Sequence, residues 1–366
     1  MWRLLKGLLI ATVLSFLACD SGEIVTAVEP LVELHAKYIT SRPVVDGFSN
    51  ETFWQKTPSY IIHVYERSND GSVIEAETGF NVTIKAVWWK DWMATGSGDW
   101  VERPFFAMLI NWPDDAKNIE KNVWHYDAQD SNWTYSDSGS DWLLFTWGSF
   151  TDYTDLWYWD AALTNPLGYA EDQYVENVEV DSNNFVELFN IDGANILNDY
   201  GDFQNTWDKN YNDNLTPRDS TDDYPKMAWK FNIDSIAPFL PRVYSSEDEK
   251  NNFLFAHDAD LIENTPYLNV DSAISIPGYI LQDPIGPSSD IVTAGRYENG
   301  YWTVELVRPA ATTDDANLDI GFEPTIRYID YYFNILIGNN AKSPYEAGSK
   351  YFRGRYYTSF TFEFVL

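Results

Sequence analysis

The chain is poor in cysteine, in histidine and in positive charge, and each shortage closes off some chemistry. Its one cysteine is Cys19, so no disulfide can form within the chain. There is also no CxxCH run through which a c-type haem could be attached covalently. Lys and Arg number 24 against 56 Asp and Glu, for a formal net charge of -32. Phosphate backbones are gripped by clustered Lys and Arg, so a nucleic-acid partner is disfavoured, and an anionic membrane surface with it. No G-x-S-x-G elbow marks a serine hydrolase. Helical periodicity is scarce, and no internal repeat stands out.

Apolar runs are short as well. The one at residues 8–17 follows Arg3 and Lys6 and ends just before Cys19; it is too short to span a bilayer as a stable helix. This pattern predicts a lipoprotein signal over residues 1–18, cleaved before Cys19, whose thiol then carries lipid. A plain secretory signal is the alternative. Residues 19–36 read as a tether with Pro30 and little periodicity. The expected location is extracytoplasmic, with the membrane reached through the lipid anchor.

What the chain has in quantity is aromatic side chains, at 17% of residues, within a hydrophobic fraction of 45%. That supports a substantial core. The strand signals are runs rich in β-branched and aromatic residues: FNVTIKAVWW at 80–89, FFAMLINW at 105–112, DWLLFTWGSF at 141–150 and YYTSFTFEFVL at 356–366. YWTVELVR at 301–308 alternates, placing Trp302, Val304, Leu306 and Arg308 on one face. The expectation is an all-β chain built as a two-sheet β-sandwich, one domain over 37–366. An Asp/Asn-rich insertion interrupts it at 180–222.

The densest stretch is DLWYWDAALTNPLGYAED at 155–172. Three consecutive rings, Trp157, Tyr158 and Trp159, carry too much apolar area to leave in water, so the stretch belongs in the wall of a core or a pocket. If it is extended, Trp157 and Trp159 point one way and Tyr158 the other. Its acids, Asp155, Asp160, Glu171 and Asp172, could be read as a hydrolytic pair, but acids are abundant everywhere in this chain.

Eight blocks in order resemble one known family. They are VVDGFSNETFW, VTIKAVWW, FFAMLINWPDD, SDWLLFTW, DLWYWDAALTNPLGYAED, YPKM, IPGYILQDPIGPSSDI and GYWTVELVRP. Together they are similar to the haem-binding domain of the ethylbenzene dehydrogenase γ-subunit and related bacterial cytochromes, from about Ile39 to the C-terminus. The resemblance implies a β-sandwich like family-nine carbohydrate-binding modules and DOMON-like domains. It further implies a non-covalent b-type haem and electron transfer with a redox partner protein. Many relatives have WHWK where this chain has Trp157-Tyr158-Trp159-Asp160.

On that resemblance the cofactor-binding candidates are Met227 in YPKM, its neighbour Lys226, the rings of Trp157, Tyr158 and Trp159, and His257. Met227 reads either as a core methionine or as a soft axial ligand. His63, His125 and His257 border apolar runs and read as hydrogen-bonded structural histidines or as ligands, while His35 falls in the tether. Asp208, Asn210 and Asn212 offer oxygens at alternating positions, as a calcium loop does; a solvated loop is the plainer reading. The other functional reading is a carbohydrate or small-ligand module without haem. It requires two or three of Trp88, Trp89, Trp157 and Trp159 to lie flat and exposed along one groove, whereas haem or core use buries them or lines one deep cavity with them.

Overall fold

Alternation in YWTVELVR predicts a strand with two unlike faces, and the chain folds accordingly. Trp302, Val304, Leu306 and Arg308 are all buried on the inward face of the strand Tyr301–Pro309. The computed structural model describes residues 33–68, 78–94, 98–127, 129–130, 132–148, 153–176, 196–198, 207–212, 223–229, 252–261, 274–284, 290–312, 320–326, 329–345, 349–355 and 357–365. Cys19, the signal segment and most of the 180–222 stretch lie outside them.

Secondary structure is almost wholly β. The long strands are β1 (Glu33–Tyr38), β2 (Tyr60–Ser68), β3 (Gly79–Ala94), β4 (Trp100–Pro113), β5 (Trp124–Asp127), β6 (Asn132–Tyr135), β7 (Ser140–Trp147), β8 (Tyr153–Asp160) and β9 (Tyr169–Glu176). Short strands follow: β10 (Ile196–Asn198), β11 (Trp207–Lys209), β12 (Met227–Trp229), β13 (Leu254–Phe255), β14 (Ala259–Leu261), β15 (Ile274–Ile276) and β16 (Tyr279–Leu281). The chain closes with β17 (Ile291–Glu298), β18 (Tyr301–Pro309), β19 (Tyr331–Ala341), β20 (Lys350–Gly354) and β21 (Thr358–Phe362). One five-residue helix, α1 (Thr52–Lys56), buries Trp54.

The all-β class is as expected, but the layout differs from two sheets with free edges. Hydrogen bonds run β19-β20-β2-β3-β4-β18-β17-β9-β8-β7, and β7 pairs back onto β19. That ring of ten strands makes a barrel-like sheet. Closure removes the unpaired N–H and C=O groups that an open edge would present. No local pattern announces it, because pairing between β7 and β19 joins segments nearly 200 residues apart. A second difference lies at the N-terminal side. β1 begins at Glu33 and runs parallel to both β21 and β3, so His35 lies in the sheet, bonded to Thr361, and not in a tether.

The interior is a continuous cluster of rings and aliphatics from β3, β4, β7, β8, β18, β19 and β21. Trp157 meets Trp147 at 4.7 Å between ring centroids, and Trp159 meets Trp302 at 5.2 Å. Tyr158 faces the other way, into a smaller cluster with Trp142, Leu144 and Tyr351. The alternation expected for the triplet is therefore the one found. Trp54 packs on the outer face beside Val87, Trp89 and Val307.

Candidate functional site

The turn that links β8 to β9 is held by two side chains of the densest stretch. Asn165 caps it across the sheet: its Oδ1 accepts the Gly295 N–H at 2.7 Å and the Trp159 indole N–H at 3.2 Å. A side chain at Gly295 would collide with the Trp159 ring, its Cβ falling 2.2 Å from Cζ2. Glycine at that place is what lets the indole lie against the backbone. Gly168 closes the turn with φ of 76°, in the region that only glycine enters without strain.

Asp160 sits at the end of β8, fully buried, and is saturated with donors. Its Oδ2 accepts from Tyr158 OH at 2.6 Å, Ser140 Oγ at 2.8 Å and Lys121 Nζ at 2.9 Å. Its Oδ1 accepts the Ala162 and Leu163 backbone N–H groups at 2.8 and 3.2 Å. Burial and the adjacent carboxylate raise the Tyr158 hydroxyl well above its ordinary pKa, so it stays protonated and keeps donating. A carboxylate so engaged, its partner lysine equally buried, holds structure and has no lone pair left for acid–base work.

A second buried charge cluster lies in the barrel interior. Arg308 is fully buried, 3.4 Å from Asp155 and 3.7 Å from Asp172, and its guanidinium lies 4.8 Å over the Trp157 ring. Asp155 also accepts the Ile320 N–H at 3.0 Å. The acids of 155–172 are therefore committed to the interior; Glu171 too is fully buried.

Met227 lies elsewhere. It is half-buried on the rim of a separate cluster containing Trp124, Tyr126, Leu254 and Ile280, with Trp133, Tyr135, Tyr211 and Tyr224 packed against it. Its backbone is clamped from both sides by one amide: Asn210 Oδ1 accepts the Met227 N–H at 2.8 Å, and Asn210 Nδ2 donates to the Met227 carbonyl at 2.9 Å. Asn210 donates again to the Pro277 carbonyl at 2.9 Å, and its own carbonyl accepts the Trp124 indole N–H. Lys226 points to solvent. His257 is exposed on a short 3-10 turn and stacks on Phe255 at 5.5 Å.

The six side chains expected around a haem thus fall into different places. Trp157 and Trp159 fill the barrel, Tyr158 bonds Asp160, and Met227, Lys226 and His257 lie among the short strands. Of these, Met227 fits an axial position for b-type haem: a soft thioether, partly accessible, bordered by rings and on a backbone fixed by Asn210. The triplet does not fit that role. Nor do the calcium candidates gather. Asn210 spends its amide on Met227 and Pro277, Asn212 donates to Tyr224 OH at 2.7 Å, and exposed Asp208 accepts from Gln282 at 3.0 Å. Among the described residues no group of three His, Cys, Asp or Glu could hold a metal ion. His63 and His125 bond Asn81 and Ser275 at 2.8 and 2.9 Å, as structural histidines do.

The rings named for sugar stacking are also accounted for. Trp88, Trp89, Trp157 and Trp159 are all at most 3% exposed, which is the arrangement expected of core or cofactor use and not of an open groove. Sequence reading missed a polar cleft of about 450 Å³, lined by Lys117, Asn118, His125, Ser138 and Asn340 among others. Most of its residues come from connecting segments with no recognisable pattern, joined by His125 of β5 and Asn340 of β19.

Comparison with known proteins gives a family match over part of the chain and slight structural likenesses. No curated protein matches the chain. A solved structure from Bacteroides uniformis, described as a "putative carbohydrate-binding protein", aligns over 91% of this chain and 100% of its own. The identity is 6% and the TM-score 0.30, too slight to argue from. The family model described as ethylbenzene dehydrogenase matches residues 145–326, a span holding the aromatic triplet, Asn210, Met227 and Arg308. Residues 145–326 are thus similar to the ethylbenzene dehydrogenase family, the one that the ordered sequence blocks resemble.

Proposed function

We propose that this chain is an extracytoplasmic, lipid-anchored binding protein that carries b-type haem without a covalent bond and exchanges electrons with a redox partner protein. The observation that carries the reading is Met227. It lies within the family match, is half-exposed at the edge of an aromatic cluster, and has both backbone polar groups fixed by Asn210. When bound, the haem supplies reversible one-electron exchange. Met227 would hold the iron through its thioether, whose softness would favour the reduced state. The aromatic border provides apolar surface for the macrocycle edge, and the Asn210 clamp spares the site the cost of ordering the ligand strand on binding.

The role of the barrel in this reading is support. Its interior is filled by its own rings, and Arg308 on β18 pairs with Asp155 on β8 and Asp172 on β9, bracing those strands against one another.

The test is titration of the purified chain with haem, wild type beside Met227→Ala, followed by absorption spectroscopy and redox potentiometry. The expected result is a stoichiometric Soret band in the wild type, with the mutant weakened or shifted to lower potential. A wild type that develops no Soret band ends the haem reading. An unchanged spectrum and potential in the mutant removes Met227 from the iron.

A further inference from the structure

The β3–β4 hairpin runs on beyond the barrel. β2 pairs with β3 only through residue 84, β1 reaches Trp88, and β18 pairs with β4 only from Phe105 onward. Past those points, among the described residues, Lys90–Ala94 and Trp100–Arg103 pair only with each other, and Pro104 adds one bond from the Ala310 N–H. Two strands with no third neighbour form an arm.

Register decides which side chains share a face of that arm. Trp92 stands opposite Glu102, Ala94 opposite Trp100, and Lys90 opposite Pro104. Since directly opposed residues share a face and the period along a strand is two, Trp92, Trp100, Lys90 and Glu102 all project from the same side. Farther back the same side carries Trp88 and Phe106, which are buried in the barrel interior. The outer rings have no such cover: Trp92 is 61% exposed and Trp100 66%. Beside them, toward the barrel, Lys90 and Glu102 form an ion pair of 3.7 Å that is itself about half in solvent.

Two open indoles are costly to keep in water and are rarely left so without use. The chemistry of the face selects the occupant. The net charge of -32 repels polyanions, which disposes of nucleic acid and anionic lipid. Flat rings beside a mixed donor and acceptor suit a neutral ligand that alternates apolar C–H faces with hydroxyl groups. β1 runs parallel to β3 and starts at Glu33, so the chain enters the sheet at the end away from the arm. We infer that the Trp92–Trp100 face of the β3–β4 arm is a binding platform for neutral polysaccharide, sugar rings stacking on the two indoles and hydroxyls bonding Lys90 and Glu102. The platform is separate from Met227 and does not depend on haem.

Affinity electrophoresis of the full chain in native gels containing hydroxyethylcellulose, xyloglucan or galactomannan tests this, with phosphatidylcholine vesicles as a parallel probe. Retardation is expected in at least one of the three gels. Trp92→Ala and Trp100→Ala should each weaken it about ten-fold or more, as loss of a stacking ring does. Trp92→Phe and Trp100→Phe, which keep a flat face, should retain part of the binding, and Tyr301→Ala, at an exposed ring elsewhere, should leave it whole. No retardation in any gel overturns the proposal, as does retardation that the alanine variants leave unchanged. Tryptophan-dependent binding to vesicles without polysaccharide retention would make the arm a membrane contact and overturn it equally.

Discussion

Tyr158 donates its hydroxyl hydrogen to Asp160, two residues along the same strand, at 2.6 Å, with both side chains buried. Where many relatives carry His and Lys, this chain has a phenol and a carboxylate. The positive charge comes instead from Lys121, a distant residue in a connecting segment, at 2.9 Å. The local charge is thus balanced by a different part of the fold, and the position serves as a brace between β8 and the turn after it.

That arrangement sets unequal costs for its two partners. Tyr158→Phe removes one donor from a carboxylate that keeps four others, and should cost about 1.5–3 kcal/mol, as for hydrogen bonds to charged groups. Lys121→Met leaves the charge of Asp160 uncompensated in the interior and should cost about 3–5 kcal/mol. Urea denaturation of both variants checks the order; Lys121→Met milder than Tyr158→Phe would contradict it.

The barrel interior gives a second pair of costs. Trp157→Ala empties a site lined by Trp147, Phe145 and Phe322 and should lose about 3–5 kcal/mol. Arg308→Met leaves Asp155 and Asp172 buried without their cation and should lose about as much. Because the guanidinium lies over the Trp157 ring, the double mutant should lose less than the sum of the two. Additive losses in a thermodynamic cycle would show that the two side chains act independently.

Stability should fall as pH rises from about 4 to about 7. Burial is the leading cause that lifts Asp114 to about 7, Asp141 to about 6 and Glu305 to about 7. Each pKa is higher folded than unfolded, so the folded chain holds more protons between the two values. Its stabilising share is complete below the unfolded pKa and is lost as pH rises through the folded one. Asp114 Oδ2 is buried with no hydrogen-bond partner, so Asp114→Asn should stabilise by about 1–3 kcal/mol at pH 8 and by little at pH 4. Denaturation curves at the two pH values measure this, and equal effects at both would refute the assignment.

The anchor is tested at Cys19. If the thiol carries lipid, Cys19→Ser should move the protein from the membrane to a soluble extracytoplasmic fraction, and only the wild type should take up labelled palmitate. Membrane retention of the variant together with no label in the wild type would exclude the lipoprotein reading.

Much of the strand pattern was legible because the barrel strands have unlike faces. FFAMLINW and DWLLFTWGSF announce burial by composition, and the alternation in YWTVELVR put Arg308 inward with Trp302, Val304 and Leu306. An arginine at that register needs a buried acid, but with acids abundant along the whole chain only the fold shows that Asp155 and Asp172 supply it. By contrast, Asn210 looked like a calcium ligand because Asp and Asn at alternating positions suit a metal loop and a hydrogen-bonded strand equally. Its amide geometry, with both atoms turned to Met227 and Pro277, decides for the strand.

By itself the sequence determined an all-β chain, a polyanionic surface, a lone cysteine at the end of an apolar run, the opposite facing of Tyr158 against Trp157 and Trp159, and the likeness of its central segment to a known family. These follow from local physics: side-chain period, ring area and charge count act over a few residues. Only the tertiary structure decided that β7 closes the sheet on β19, that Lys121 neutralises Asp160, that Met227 sits apart from the aromatic triplet, and that Trp92 and Trp100 stand open while Trp88 and Trp89 are buried. Those outcomes depend on which distant strands pair and where pairing stops. In FNVTIKAVWWKDWMA the buried and the exposed tryptophans are chemically alike, and what separates them is that neighbouring strands cover the hairpin as far as Trp89 and no farther.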